Sequence, residues 1–270
     1  MGCHGAHAVK LSEWPRRMML PLRALEDSLF PPTCWVTGRP VRREDRGLSP
    51  QVRRRLEQFI AAPFCRRCGA TLGPWASPAG CQRCAQRRLG VGEMIRAGPL
   101  QEPLGRLIRR LKFQRLWAVG PLLAEQVYTA MRYHGAAPVD VWVPVPLHWR
   151  RRWRRGFNQA EEIAAALGRL SQRPMAAGAL VRRRGTAPQT ATVSRTARLA
   201  NLQGAFIARI DPRLAGRQVW LVDDVCTTGA TLHAAAAALK ALPGPYRPAS
   251  INAAVVAVAD DTPIPGGETF

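Results

Sequence analysis

The sequence predicts an α/β chain, a parallel sheet flanked by helices, with a small cysteine-rich module ahead of it. Three observations lead there. β-branched apolar runs at 139–145, 219–222 and 250–258 alternate with helical patterns, the arrangement that builds a parallel sheet. One of these runs, Val219 to Val222, has no polar break and ends in Asp223-Asp224, as a strand buried on both faces does. Two Cys-x2-Cys pairs lie upstream in a stretch without apolar runs.

Residues 1–33 show little periodicity and end in Phe30-Pro31-Pro32, so they read as a flexible leader. Residues 34–92 are a cysteine-rich zinc-binding module of the ribbon or knuckle kind, where a metal replaces the missing core. The sheet domain is expected over 93–259. In it Leu104, Leu107, Ile108 and Leu111 keep the i, i+3, i+4, i+7 spacing of an amphipathic helix, and a second helix is expected over Leu122 to Tyr133. The strand at 139–145 leads into a basic loop and then a helix from Ala160 to Leu170, with Asn158 and Glu161 related as in a capping box. A short helix is expected over Ser194 to Leu202, with Gly204 near its end. An Ala-rich helix from Leu232 to Leu242 precedes the last strand. Residues 260–270, with two prolines and two glycines, read as a disordered tail.

Composition narrows the function classes. A chain of 270 residues, 47% of them hydrophobic, buries a full core and is not disordered throughout. It contains no run of about 18 apolar residues, so no membrane span is expected. Pro21, Arg23, Glu26 and Asp27 interrupt the segment after the basic N-terminus, so a signal-peptide core is absent and the expected location is cytoplasmic. Forty basic residues against 18 acidic ones give a net charge of +22, and only Lys10, Lys112 and Lys240 are lysines, leaving 37 arginines. Such a field attracts phosphates, nucleic acid or acidic lipid without selecting among them. The local runs are Arg53 to Arg55, Arg150 to Arg155 interleaved with Trp149 and Trp153, and Arg182 to Arg184. Tryptophans beside a strand end are read as packed against the fold.

The most specific segment runs from Val219 through Asp223 and Asp224 into Val225-Cys226-Thr227-Thr228-Gly229-Ala230-Thr231. A buried strand here ends in an acidic pair and a hydroxyl-rich turn that opens a helix. Free N–H groups at a helix start bind a phosphate, and Thr227, Thr228 and Thr231 add hydroxyl donors. Gly229 allows close backbone approach. Two carboxylates at the C-terminal end of a strand accept hydrogen bonds from vicinal hydroxyls, at the edge where ligands lie in open α/β sheets. Asp223 and Asp224 are therefore the candidate ribose ligands. Cys226 is read as a packing residue within the turn.

Cys65-x2-Cys68 and Cys81-x2-Cys84, twelve residues apart, have the spacing of a four-cysteine zinc site. Gly69 suits the turn after the first pair, and Arg66, Arg67 and Arg83 favour thiolates. Structural Zn²⁺ is the expected ligand, with an iron–sulfur cluster as the minor alternative.

The acidic-pair segment resembles the phosphoribosyl pyrophosphate motif of the type I phosphoribosyltransferases. Together with Pro144-Val-Pro-Leu147, Arg155-Gly-Phe-Asn-Gln159, Thr186-x2-Gln189, Arg195, Asn201 and Gly204-Ala-Phe206, it makes most of residues 95–258 similar to the competence protein F family. That family also carries a cysteine-rich N-terminal module. It commonly has an earlier Cys-x2-Cys, whereas here Cys34 is followed by Thr37, so Cys34 is read as a buried remnant.

The resemblance implies a type I phosphoribosyltransferase-like fold and phosphoribosyl pyrophosphate or a related phosphosugar as ligand. It places Arg155, Gly156, Phe157 and Asn158 in a pyrophosphate-side loop. That role suits a bidentate arginine, a permissive glycine and an amide donor. It places Gln189 and Arg195 in a loop that closes over the site. The implied chemistry is displacement of pyrophosphate from the anomeric carbon, with Mg²⁺ held mostly on the ligand's own oxygens. No glutaminase residues precede the site, and no residue selects an acceptor. Two functions stay open: phosphoribosyl transfer in competence and DNA uptake, or a non-catalytic protein that binds single-stranded DNA or a DNA-uptake motor protein and uses the site as a ligand switch.

Overall fold

The computed structural model describes residues 30–73, 81, 84, 89–183, 204–260, 262 and 264. These fall into two compact units, one ending at Pro50 and one beginning at Gln51. In the first, Thr33 and Pro40 form an antiparallel bridge, and the buried Cys34 Sγ accepts from the Ser49 amide at 3.4 Å.

Helix α1 (Pro50–Ala61) buries Val52, Leu56, Phe59 and Ile60. Their spacing is helical, but Arg53 to Arg55 interrupts the apolar pattern and hides the helix in the sequence. Arg55 is itself buried, donating to Gln58 Oε1 at 2.9 Å and to the Ile264 carbonyl at 3.0 Å. Part of that basic run is thus structural.

The sheet is built from β1 (Met94–Pro99), β2 (Val141–Pro144), β5 (Gln218–Cys226) and β6 (Ser250–Val258), all parallel in the order β1-β6-β5-β2. Between β1 and β2 run α2 (Leu104–Gln114) and α3 (Val119–Tyr133); α4 (Trp149–Arg155) and α5 (Gln159–Ser171) come after β2. A separate antiparallel pair, β3 (Leu180–Arg182) and β4 (Phe206–Ala208), precedes β5, and α6 (Ala230–Lys240) connects β5 to β6.

The helices cover the sheet. α3 packs on β1 and α5, α5 packs on β2 and β5, and α6 packs on β4 and β5. β6 is buried from Ile251 through Val258, and Trp142 and Trp220, fully buried on adjacent strands, have ring centroids 6.4 Å apart. Their indole N–H groups are satisfied by Ser171 Oγ at 2.9 Å and the Pro138 carbonyl at 3.1 Å, as buried indoles require. The expected parallel sheet flanked by helices is therefore present.

Several boundaries differ from the expectation, each for a local reason. The strand read as Val219 to Val222 continues through the acidic pair to Cys226, because Asp223, Val225 and Cys226 still pair with Val255, Ala257 and Val258. The basic loop is the helix α4. His148 caps it from the N-terminal side, its Nδ1 accepting from Arg150 N at 3.4 Å, and Gly156 ends it at φ +84. Asn158 does cap α5, its Oδ1 accepting from Ala160 N at 3.2 Å, but Glu161 turns instead to Arg152 at 2.8 Å. From the expected tail, Asp260 is buried and accepts from the Thr71 amide, and Ile264 is buried too. No described helix is long and apolar enough to cross a membrane. The expected helix at 194–202 and the leader up to residue 29 lie outside the described residues.

Candidate functional site

β5 carries Asp223 and Asp224 to the C-terminal edge of the sheet, where a cavity of about 160 Å³ opens. Its wall contains Asp223, Asp224, Val225 and Thr231 from the β5–α6 connection, Arg155 and Asn158 from the α4–α5 connection, Lys112 from α2 and Arg182 from β3. Six of the residues picked out from the sequence thus meet around one space.

The acidic pair is held asymmetrically. Asp224 Oδ2 receives Lys112 Nζ at 2.8 Å, with both side chains largely buried. Asp223 Oδ1 accepts from the Asp224 amide at 2.8 Å. Burial, and then the neighbouring Asp224 carboxylate, push the Asp223 carboxyl up to about 7, against the opposing pull of Lys112, the Asp224 N–H and Arg182. Two acids this close, one paired with a cation and one poised near neutrality, can accept hydroxyl hydrogen bonds from a sugar at the cost of one proton. Lys112 carries no local signal in the sequence; it occupies the polar side of an amphipathic helix.

The turn after β5 is fixed by packing. Gly229 sits at φ +79 as the N-cap of α6, and a Cβ there would lie 1.8 Å from Leu89 Cδ2. Only glycine fits both the backbone and the neighbour. Thr228 Oγ1 accepts from Ala230 N at 3.4 Å, Thr227 is exposed, and Cys226 is buried in the core. The packing role expected for Cys226 matches its burial in that core. Thr227, Thr228, Gly229 and Ala230 are at the helix mouth without lining the cavity wall.

On the opposite side, Arg155 Nη1 donates to Gln159 Oε1 at 3.1 Å, and its guanidinium lies 5.4 Å from the Phe113 ring centre. Asn158 is buried, with its amide N–H donating to the Val145 carbonyl at 3.1 Å and its Oδ1 capping α5. The side chain that reads as a free donor is thus occupied in holding the α4–α5 connection to β2. Phe157 is buried and packs on Trp117 at 4.1 Å between ring centres. Gly156 closes α4, and a Cβ added there would meet no atom within 4 Å. Gln159, buried beside the cavity, has an Nε2 with no hydrogen-bond partner among the described residues. Gln189 and Arg195 lie outside the described residues.

The four cysteines form a second cluster. The Sγ atoms of Cys65, Cys68, Cys81 and Cys84 all lie within 4.8 Å of one another. Cys65 and Cys84 are 3.3 Å apart, and Cys68 and Cys81 3.8 Å. Four thiolates about 2.3 Å from one tetrahedral ion lie about 3.8 Å apart, so the cluster is compatible with a structural zinc. Gly69, at φ +73, donates to the Cys65 carbonyl at 2.7 Å and closes the first turn. Arg66 turns to Glu93 and to the carbonyls of His134 and Gly135. Arg96 of β1 is buried and donates to Thr71 Oγ1 at 2.7 Å; burial lowers its pKa to about 10 against the opposing pull of Asp260 and Cys68.

Comparison with known proteins agrees with this geometry. A family described as "Phosphoribosyl transferase domain" matches residues 154–264, which span α5, β5, the acidic pair and α6. The chain is similar to Competence protein F of Haemophilus influenzae, 33% identical over 201 residues covering 73% of this chain and 85% of the relative. The chain belongs to the competence protein F family. DNA utilization protein YhgH of Escherichia coli is 34% identical over 206 residues, covering 75% of this chain and 88% of that one. Competence protein ComFC of Bacillus subtilis is 36% identical over 99 residues, 37% of this chain and 38% of its own length. Membership joins the two clusters: a phosphoribosyltransferase-type domain holds the acidic pair, and the four-cysteine cluster precedes it.

Proposed function

We propose that the cavity binds phosphoribosyl pyrophosphate with Mg²⁺, and that the protein acts in the cytoplasm in DNA uptake or utilization. The observation that carries the first part is the pairing of Asp223 and Asp224 at the mouth of α6 with three cations, Lys112, Arg155 and Arg182, in one cavity wall. Vicinal ribose hydroxyls donate to the two carboxylates. The 5′-phosphate meets the start of α6, where Thr227, Thr228 and Thr231 supply hydroxyls and the helix end supplies N–H groups. The pyrophosphate lies toward Arg155, and Lys112 and Arg182 complete its charge balance. Magnesium fits such a ligand, being a hard cation that prefers phosphate, hydroxyl and carboxylate oxygens. The second part is supported by relatives named for competence and DNA utilization. Zinc fills the four-cysteine cluster in this reading.

Whether the phosphoribosyl group is transferred is a separate question with its own readout. Calorimetry of the whole protein with phosphoribosyl pyrophosphate and Mg²⁺ should give a saturable one-site isotherm that ribose 5-phosphate alone reproduces only weakly. Absence of heat at millimolar ligand would overturn the binding reading. Release of pyrophosphate above background with one member of a panel of bases and amines would establish transfer; release with none, on a protein that binds, assigns the site to ligand sensing.

A further inference from the structure

The segment between the four-cysteine cluster and β1 runs over the turn that opens α6. Residues 89–93 form neither helix nor strand, so no backbone ladder sets their path and their place is fixed by what holds the two ends. Downstream, the Gly92 amide donates to the Ile251 carbonyl at 2.8 Å and the Glu93 amide to Asn252 Oδ1 at 3.0 Å, just before β1 pairs with β6. Upstream, Leu89 follows Cys84 by five residues.

Between these ends the segment is pressed onto α6. Leu89 is buried where a Cβ on Gly229 would have to go, and a Cβ on Gly90 would lie 3.3 Å from His233 Nδ1 and 3.6 Å from Ala236 Cβ. The Gly90 carbonyl accepts from Lys240 Nζ at 2.6 Å. Leu89 shares one apolar core with Cys68, Cys226 and Leu232, and Cys65, Cys81 and Cys84 pack against that core. A second contact reaches the same place. A Cβ on Gly69, the residue after Cys68, would lie 2.6 Å from Val258 Cγ2, and Val258 pairs with Cys226. The cluster thus bears twice on the stretch from Cys226 to Gly229, through Val258 and through Leu89.

We propose that Leu89 is a positioning residue for the phosphosugar site, and that through it the metal-loaded four-cysteine cluster fixes the turn whose N–H groups and hydroxyls receive the 5′-phosphate. Several N–H groups at a helix start hold a phosphate together, so a turn that shifts loses them together. The effect falls on one side of the cavity, because Lys112, Arg155 and Arg182, assigned to the pyrophosphate, belong to α2, α4 and β3. Metal and phosphosugar then favour each other, since linkage between two sites acts in both directions. The inference rests on the proposed phosphosugar reading of the cavity, except for the placement of the turn, which belongs to the protein without ligand.

The test uses the zinc-loaded, full-length protein. Leu89→Ala should weaken ribose 5-phosphate, measured by competition with phosphoribosyl pyrophosphate, by at least about tenfold, the loss of one charge-assisted hydrogen bond or more. Inorganic pyrophosphate, measured the same way, should bind as in wild type. Leu89→Met, which keeps the volume, should restore most of the loss. Without ligand, the His233 amide, which donates to the Gly229 carbonyl at 2.9 Å, should exchange with deuterium at least about tenfold faster in Leu89→Ala, while the amides of β2 keep their rates. In wild type, saturating phosphoribosyl pyrophosphate with Mg²⁺ should raise the chelator concentration that extracts half of the zinc by at least about fivefold, and Leu89→Ala should erase that protection. Equal losses for the two competitors, wild-type exchange at His233 in Leu89→Ala, or zinc extraction that the ligand leaves unchanged each overturns the proposal. If Leu89→Ala does not fold, the smaller truncation Leu89→Val is judged by the same comparisons. A wild-type protein that binds no phosphoribosyl pyrophosphate sinks the phosphosugar reading instead, and the exchange rates alone then decide whether Leu89 sets the turn.

Discussion

The two chain turns that face the cavity are both built around a left-handed glycine, yet they are held in different ways. Gly229 lies between a nine-residue buried strand and an eleven-residue helix, pressed against Leu89. Gly156 ends a seven-residue helix on the surface, with open space where a side chain would go. The first turn is positioned by the core, the second by its own caps and by the Asn158 amide on Val145. The two carboxylates therefore sit beside the turn that the core positions, and the arginines beside the turn that local hydrogen bonds position.

Four perturbations bear on this contrast. The largest effect should come from the four-cysteine cluster, because Cys68 and Ala70 share a core with Met94, Val219 and Val258. The cluster is thereby continuous with the packing beneath β5 and β6. Metal removal by a chelator, or Cys68→Ser, should lower Tm by at least about 10 °C in calorimetry. An unchanged Tm would separate the cluster from the sheet. Elemental analysis should return one zinc per chain.

Next in size is Gly229→Ala. Strain at φ +79 and collision with Leu89 together cost roughly 3 kcal/mol, read by denaturant unfolding, and the displaced turn should weaken phosphosugar binding as well. Gly156→Ala meets only the backbone penalty, about 1 kcal/mol. Equal losses at the two glycines would erase the distinction between the turns.

Lys112→Met probes the electrostatic side of the same contrast. Asp223 is raised from an ordinary 3.8 to about 7, so the folded protein holds a proton that the unfolded chain releases between those values. Its burial thus favours folding less as pH rises from about 4 to 7, with no further change above. A ligand whose hydroxyls donate to carboxylates prefers the ionised pair, and affinity should rise through pH 7. Without the Lys112 cation, Asp223 ionises at higher pH. The variant should bind about tenfold more weakly at pH 7 and recover part of the loss at about pH 8.5. A pH profile parallel to wild type would remove Lys112 from the site.

The legibility of each element in the sequence depends on the same physical difference. β5 and its acidic pair are read directly, because a strand buried on both faces leaves a continuous apolar run and a polar break at its end. Even there the hydropathy pattern understates the strand's length: Asp223 and Asp224 interrupt it while Asp223 and Val225 still pair with β6. α4 reads as a loop because a helix with exposed tryptophans and arginines has no apolar stripe to reveal it. α1 escapes notice for the opposite reason, since arginines mask a stripe that is present at Val52, Leu56, Phe59 and Ile60. Lys112 and Arg96 have no local pattern to mark them. Each acts through a partner distant in the chain, and only the fold brings Lys112 to Asp224 and Arg96 to the region of Cys68 and Asp260.

In the proposed function the acidic pair receives the sugar. Calorimetry of phosphoribosyl pyrophosphate with Mg²⁺ on Asp223→Asn with Asp224→Asn tests it most directly, with circular dichroism confirming an unchanged fold. Loss of two charge-assisted acceptors, at about 1.5–3 kcal/mol each, should weaken binding by more than about tenfold. Wild-type affinity in the folded double variant would contradict the account.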